Sequence, residues 1–324
     1  MTSLPARITF GPIPSRRLGH SLGINNIPPK ACSYSCVYCQ VGPTGHPEIQ
    51  PRAFYPPEEI LRQVTAHLDV LARRGEPVDY LSFVPDGEPT LDRHLGESID
   101  LLRSLGLPIA VISNASLTSQ PAVRAALAKA DWLSLKVDAV DPAIWRRVNR
   151  PHPGLNLEAI LAGIATLARD FQGTLTTETM LVAGVNDGPT SLGAVADFLA
   201  GIHPAMVHLL APTRPPAEPT VRPPDPRSLS RAYGVMSARL HRVECLFGYE
   251  GDAFASTGMI GEDILAITAV HPLREEALRA LLAKAGADWS LVEGLVGAGR
   301  LQLVDYEGHR YYRRPDPDAG GKRR

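Results

Sequence analysis

The sequence predicts an α/β fold: a six-unit parallel (β/α) partial barrel followed by a smaller C-terminal domain. Three observations carry this. Six short apolar or β-branched stretches alternate with six stretches whose apolar residues recur at helical spacing. Much of the unusual proline count, 30, falls in connections such as Pro215-Pro216 and Pro223-Pro224, which implies stiff, ordered loops. A stretch over 246–261, marked by Gly248, Gly251, Gly258 and Gly261, has no helical periodicity and reads as a boundary. The expected division is a core over 1–250, a second, separable domain over 262–315 and a disordered tail over 316–324.

Leu18 to Asn26 opens the alternation as a strand, with Leu22 and Ile24 on one side. The next helix should begin at Pro57. Proline suits a first turn, Glu58 and Glu59 favour the positive end of the helix dipole, and Gly75 ends the run. Tyr80 to Val84 is a short apolar strand, and Leu95, Ile99 and Leu102 mark a helix. Ile109 to Ile112, a helix over Gln120 to Ala130, and the strand Trp132 to Val137 follow. The pattern continues with a helix over Leu157 to Leu167, a β-branched strand over Thr174 to Val182 and a helix over Leu192 to Ile202. Val207 to Leu210 is the sixth strand and Leu229 to Leu240 the sixth helix.

Six units are too few for the familiar eight-stranded closure, which leaves a partial barrel or an open doubly wound sheet. Beyond the boundary, Ile264 to Val270, Arg274 to Ala285 and Asp288 to Val296 read as helices. Leu301 to Val304 and Arg310 to Tyr312 flank Tyr306-Glu307-Gly308-His309 as a hairpin. Three helices and a hairpin resemble a winged helix.

The bulk numbers exclude some classes. A net charge of −1 gives no global field toward nucleic acid or an anionic membrane. No run of about 18 apolar residues suggests a membrane span, and Met1 to Arg7 has no apolar signal core. The apolar fraction of 44% is ample for a buried core.

The chemistry centres on Cys32-Ser33-Tyr34-Ser35-Cys36-Val37-Tyr38-Cys39, where three of the four cysteines sit at C-x3-C-x2-C spacing. Thiolates are soft ligands, and three on one loop can hold three irons of a [4Fe–4S] cube while the fourth stays open. Structural zinc is the alternative, but it usually needs a second cysteine pair, and Cys245 stands alone. A tri-cysteine loop fits a reducing, cytoplasmic setting. In a parallel barrel the functional residues collect at the C-terminal strand ends, where this loop lies. Pro85-Asp86-Gly87-Glu88-Pro89-Thr90-Leu91 follows the second strand: the glycine permits close backbone approach, and Glu88 can receive an ammonium, unless this is a plain proline turn. Ser113 and Asn114 follow the third strand, with helix capping as their ordinary role. Lys136 and Asp138 should face the barrel interior if Leu135 and Val137 face the helices, either as an internal ion pair or in function. Asn149-Arg150-Pro151-His152 and Glu178 lie on the same side, and Arg214 suits a substrate carboxylate or phosphate.

These motifs together resemble the radical S-adenosylmethionine (SAM) superfamily, including the aromatic Tyr38 before the last cysteine. They resemble in particular an Fe–S oxidoreductase branch related to the wyosine-tRNA synthases. The resemblance covers about residues 10–245 and implies the six-unit partial barrel. It implies Cys32, Cys36 and Cys39 as ligands of a [4Fe–4S] cluster, and Tyr38, Gly87, Glu88, Ser113 and Asn114 as SAM contacts. Lys136 and Arg214 are the candidate catalytic residues. Asp86 stands where the superfamily's Gly-Gly-Glu segment has its first glycine, and the extra cysteines of the wyosine synthases are missing.

The implied reaction is reductive cleavage of SAM and hydrogen abstraction by the resulting 5′-deoxyadenosyl radical. The electron would come from a low-potential donor such as ferredoxin or flavodoxin. The expected substrate is RNA or another large molecule that the second domain helps to recruit. Arg300, Arg310, Arg313, Arg314, Lys322, Arg323 and Arg324 favour RNA, Asp305, Glu307, Asp316 and Asp318 offset them, and a protein-binding or structural role for that domain stays open. A protein or peptide target is the alternative, and a non-enzymatic redox-sensing winged-helix regulator is the third reading.

Overall fold

The computed structural model describes residues 7–248, 251 and 254–315. Its larger part is one eight-stranded sheet whose strands neighbour one another in chain order. These are β1 (Thr9–Ser15), β2 (Gly19–Ile24), β3 (Tyr80–Phe83), β4 (Ile109–Ser113), β5 (Trp132–Lys136), β6 (Thr174–Met180), β7 (Met206–Leu210) and β8 (Val243–Leu246). β1 pairs antiparallel with β2, and every later pair is parallel. The strand order never reverses and β8 does not return to β1, which sets aside the doubly wound alternative.

The six expected units are all present. Helices α1 (Pro57–Arg73), α2 (Leu95–Leu102) and α3 (Pro121–Leu127) follow β2, β3 and β4. The helices α4 (Pro142–Asn149) and α5 (Leu157–Asp170) both follow β5, then α6 (Pro189–Ile202) follows β6 and α7 (Pro226–Ser237) follows β7. Proline opens five of these seven helices, where its missing N–H has no partner to lose. Side-chain caps add to this: Asp141 accepts from Ala143 and Ile144 N–H at 2.8 and 2.9 Å, and Asn156 accepts from Ala159 N–H at 2.9 Å.

Strand alternation separates two environments. Leu22, Leu81, Val111, Leu133, Leu135 and Leu209 face the helices in the main core with Ile60, Val64, Ile99, Leu127 and Ile164. Ser21, Ser82, Lys136 and Glu178 face inward, toward a cavity. An apolar outer face and a small or polar inner face are what a barrel holding a polar ligand needs.

The C-terminal residues form α8 (Ile260–Val270), β9 (Leu273–Arg274), α9 (Glu275–Ala285), α10 (Ser290–Gly297), β10 (Gln302–Tyr306) and β11 (His309–Arg313). The expected helices and hairpin are there, joined by the short strand β9 in a sheet of order β10-β11-β9. Glu307 and Gly308 turn the hairpin at φ 48° and 77°. Ile264, Ile267, Leu278, Leu281 and Leu295 build a separate core, which also touches Ile13 of β1. Phe10 of β1 packs with Ala269 and Val270, next to Ala266 and Val84. The stretch read as a plain connection is anchored: Phe254, Ala255 and Ser256 are buried, and Ala255 N–H donates to Pro12 O at 3.3 Å. The expected tail over 316–324, with Lys322, Arg323 and Arg324, lies outside the described residues. Among the described residues no helix is long and apolar enough to cross a membrane.

Candidate active site

The cysteine loop leaves β2 and is strapped down by the segment at the end of α4. Ser35 N–H reaches Asn149 O and Arg150 O at 3.1 Å, Val37 N–H reaches Val148 O at 2.9 Å, and His152 N–H reaches Ser33 O at 3.0 Å. The Asn149–His152 segment, expected on the rim, is therefore the strap that shapes the loop. It sits at the end of α4, with Arg150 in the left-handed region at φ 44° as the helix ends. Asn149 is held by Asp138, whose Oδ2 it reaches at 2.7 Å and which also accepts the Tyr38 hydroxyl. Asp138 thus supports the loop from below and does not face the cavity with Lys136.

All three loop thiols are free and half-buried, and they line one cavity of about 310 Å³. Each receives one side-chain N–H from a different segment. Asn114 Nδ2 lies 3.6 Å from Cys32 Sγ, Asn149 Nδ2 3.5 Å from Cys36 Sγ, and Lys30 Nζ 3.8 Å from Cys39 Sγ. Such donors stabilise charge on sulfur. Burial pushes the Cys32 thiol up to about 12 and raises Cys36 likewise, so a metal has to displace the proton for either to become a thiolate. Among the described residues no three His, Cys, Asp or Glu are gathered as for a single metal ion. Cys245 lies on β8 opposite Leu209 and does not line the cavity. Three free thiols, each with its own donor and opening on one cavity, fit a cluster with three protein ligands.

Gly87 is required by the loop itself. A Cβ there would stand 2.0 Å from Ala31 O, and Glu88 N–H donates to that same oxygen at 2.9 Å. Glu88 is buried and densely bonded. Its Oε1 accepts Thr90 N–H (3.1 Å), the Thr90 hydroxyl (2.6 Å) and the Ser113 hydroxyl (2.7 Å), and Oε2 accepts Asn114 N–H (2.7 Å). Burial raises its carboxyl, and these hydrogen bonds work against that rise. Asn114 also donates to Ser33 Oγ at 3.0 Å, so Glu88, Ser113 and Asn114 form one unit tied to the cysteine loop. Asp86, in place of a glycine, is buried and accepts Arg314 at 3.1 Å. That partner is 228 residues away, and nothing local in the sequence points to it.

Lys136 is in an internal ion pair and also reaches the cavity. It lines the cavity and pairs with Glu178 at 2.9 Å, with the Tyr38 ring centroid 5.8 Å from its ammonium. Burial opposes the charge on Lys136, but Glu178 and Asp138 hold its ammonium above the usual lysine range. Glu178 is likewise opposed by burial, and Arg17 and Lys136 hold it well below the usual carboxylate range. Arg17, in the turn between β1 and β2, contacts Glu178 Oε1, which also accepts the Ser134 hydroxyl at 2.9 Å. Arg17 was not singled out in the sequence; an arginine in a hairpin turn usually points to water.

Arg214 lines the same cavity and donates to Gln40 Oε1 at 3.1 Å, while Gln40 Nε2 donates to Val270 O at 2.8 Å. Val270 and His271 of the C-terminal unit close that side. Tyr306 and Tyr311 pin the unit by donating their hydroxyls to Pro212 O (3.0 Å) and Thr213 O (2.7 Å). His271 is a second residue missed in the sequence, since its approach to the strand ends is a long-range event.

Comparison with known proteins agrees with this geometry. Residues 26–191 match the radical SAM superfamily. A UPF0026 protein of Methanocaldococcus jannaschii is 41% identical over 94% of this chain and 95% of its own length. Among solved structures, a radical SAM methyltransferase from Sphaerobacter thermophilus superposes with a TM-score of 0.50 at 16% identity, over 70% of this chain and 66% of that one. TYW1 with a lysine–pyruvate adduct bound matches at a TM-score of 0.46 and 14% identity, over 90% of this chain and 79% of that one. The chain therefore belongs to the radical SAM superfamily, whose enzymes use a [4Fe–4S] cluster and S-adenosylmethionine.

Proposed function

We propose that this radical SAM enzyme takes a hydrogen atom from one group of a large substrate, RNA in the first instance, inserted between the strand ends and the C-terminal unit. The observation that carries this is the shared cavity: Cys32, Cys36, Cys39 and Glu88 line it from the barrel, Val270 and His271 from the C-terminal unit. Cluster and SAM, when bound, supply one-electron cleavage and the radical. The chain's own residues place and enclose them. Cys32, Cys36 and Cys39 would ligate the iron, and Glu88 would hold the SAM ammonium, with Ser113, Asn114 and Tyr38 beside it. The electron would come from ferredoxin or flavodoxin. Membership in an enzyme superfamily sets aside the reading as a non-enzymatic regulator.

Glu88→Gln tests the SAM assignment. An amide cannot accept from all four donors, so one of them is left unpaired at a cost of about 1–3 kcal/mol. The expected result is SAM affinity lowered by about tenfold or more with iron content intact. Unchanged affinity would leave Glu88 as a brace between Ser113 and the cysteine loop.

The C-terminal order helix, strand, helix, helix, hairpin supports a winged-helix reading. The basic surface is smaller than its sequence suggests, because Arg310 pairs with Glu275 and Arg314 with Asp86. Total tRNA should bind at low salt and weaken by roughly tenfold or more between about 50 and about 200 mM, as phosphate contacts do. Mass spectrometry of tRNA nucleosides from cells with and without the protein should show one altered nucleoside. No binding even at low salt would move the assignment to a protein or peptide substrate.

A further inference from the structure

Each loop thiol has one side-chain donor, and the three donors differ in charge. Asn114 on Cys32 and Asn149 on Cys36 are neutral amides, whereas Lys30 on Cys39 brings an ammonium. Lys30 lines the cavity beside the three thiols. Its Nζ reaches Cys39 Sγ at 3.8 Å and Gly42 O at 2.6 Å, and among the described residues it pairs with no carboxylate. Asp86 feels Lys30 through space, but its carboxylate is bonded to Arg314 at 3.1 Å. The other cations of the cavity wall bond elsewhere: Arg16 to Gly248 O, Arg17 and Lys136 to Glu178, and Arg214 to Gln40. Besides burial, charge on sulfur is opposed by Glu88 at Cys32 and by Asp138 at Cys36, and favoured by Lys30 at Cys32.

The backbone points the same way. Pro28-Pro29-Lys30-Ala31 is a turn closed by Ala31 N–H to Pro28 O at 3.2 Å, and Lys30, its third residue, is left-handed at φ 63°. That position favours glycine or asparagine, so a lysine is strained in it. Lys30 N–H donates to Asp86 O at 3.2 Å, and Ala31 O receives Glu88 N–H at 2.9 Å. The strained residue is thus held from the side of Gly87 and Glu88, with its ammonium at the last cysteine of the loop. Strain held in place by its surroundings marks a side chain in use.

We propose that Lys30 is a positioning residue that acts through Cys39: its ammonium stabilises the reduced cluster and raises the potential at which the enzyme accepts its electron. The proposal rests on the three-thiol cluster assigned above. Reduction transfers one electron from the ferredoxin- or flavodoxin-type donor, which is oxidised, and no covalent bond forms or breaks. The added electron makes the cluster more negative, and a cation donating to one of its sulfurs favours that state. An ammonium at this place can also receive the carboxylate of SAM, and the test separates the two roles.

The experiment titrates the anaerobically reconstituted full-length protein, free of SAM, with a reductant and redox mediators, and reads the reduced cluster by electron paramagnetic resonance. Lys30→Met should lower the ratio of reduced to oxidised cluster at a fixed poise by about tenfold, which is about 59 mV for one electron. Lys30→Gly relieves the left-handed turn and should show the same drop in a chain that folds readily. Lys30→Arg keeps a cation and its N–H groups and should stay close to wild type. A loop merely loosened would admit water, which favours the more charged reduced state, so the potential would rise instead. An unchanged or raised potential in Lys30→Met overturns the proposal, and so does a drop of equal size in Lys30→Arg. Weaker SAM binding with the potential unmoved would assign Lys30 to the SAM carboxylate. Failure of both neutral variants to take up the iron that wild type takes up would leave Lys30 a pin for the turn at Gly42, which also overturns it. A wild-type protein that holds no cluster fails at the earlier reading, and the role of Lys30 falls with it.

Discussion

Cys36→Ala is expected to remove most of the roughly four irons per chain that reconstituted wild-type protein should hold. The site has no reserve thiol among the described residues. Cys36 is one of three thiols on the cavity, and the fourth cysteine, Cys245, sits on β8 outside it. The loop around Cys36 is held by Val37 N–H to Val148 O at 2.9 Å and Ser35 N–H to Asn149 O at 3.1 Å, so it cannot easily move to bring another group in. Two thiolates alone leave two irons of a cube without protein ligands, and such a cluster falls apart. Cys245→Ala should keep the full iron content, because it removes a half-buried thiol from an edge strand. Iron and sulfide analysis together with visible absorption reads both variants. Iron loss in Cys245→Ala with retention in Cys36→Ala would reverse the ligand assignment.

What could be read in the sequence was local. Each strand–helix unit carries its own period and punctuation, and the three cysteines lie within one loop, so both were legible without knowing what packs where. β1 was missed because Gly11-Pro12 and Pro14 argue against a strand; an edge position with a register shift between Phe10 and Ile13 accommodates them. α4 is not legible in the sequence because its eight residues are too few to show a helical period. Asn149 lies against the cysteine loop, and that it straps this loop follows only from long-range backbone hydrogen bonds. Arg17 and Asp86 depend on partners 161 and 228 residues away, Glu178 and Arg314, and His271 reaches the cavity from the C-terminal unit; no periodicity encodes such approaches. The inward direction of Lys136 could be read because a strand's alternation is local; that its partner is Glu178 on the next strand follows only from the register Lys136↔Glu178.

Ending the chain at Gly248 is expected to lower stability by on the order of 5 kcal/mol and to impair the cofactor site as well. The sequence suggested a separable C-terminal domain, and the structure shows what separation would expose. Phe10 and Ile13 lose their cover from Ala266, Ala269 and Val270, at about 1.5–3 kcal/mol for each large side chain returned to water. Asp86, 2% exposed, loses Arg314 as its cation. It stands directly before Gly87 and Glu88, so the strain of an uncompensated carboxylate falls on the segment that braces the cysteine loop. Gln40, next to Cys39, loses Val270 O, and Arg214 loses the wall that holds Gln40 in place. A loss of this size is comparable with the roughly 5–15 kcal/mol by which a domain is stable at all. The shortened chain should therefore melt many degrees lower and, where it stays folded, bind SAM more weakly than the full chain. Thermal melting and SAM titration on both lengths decide the matter. If the shortened chain matched the full one in both, the C-terminal unit would be an independent recruiting module, and the shared cavity would lose its role in the reaction.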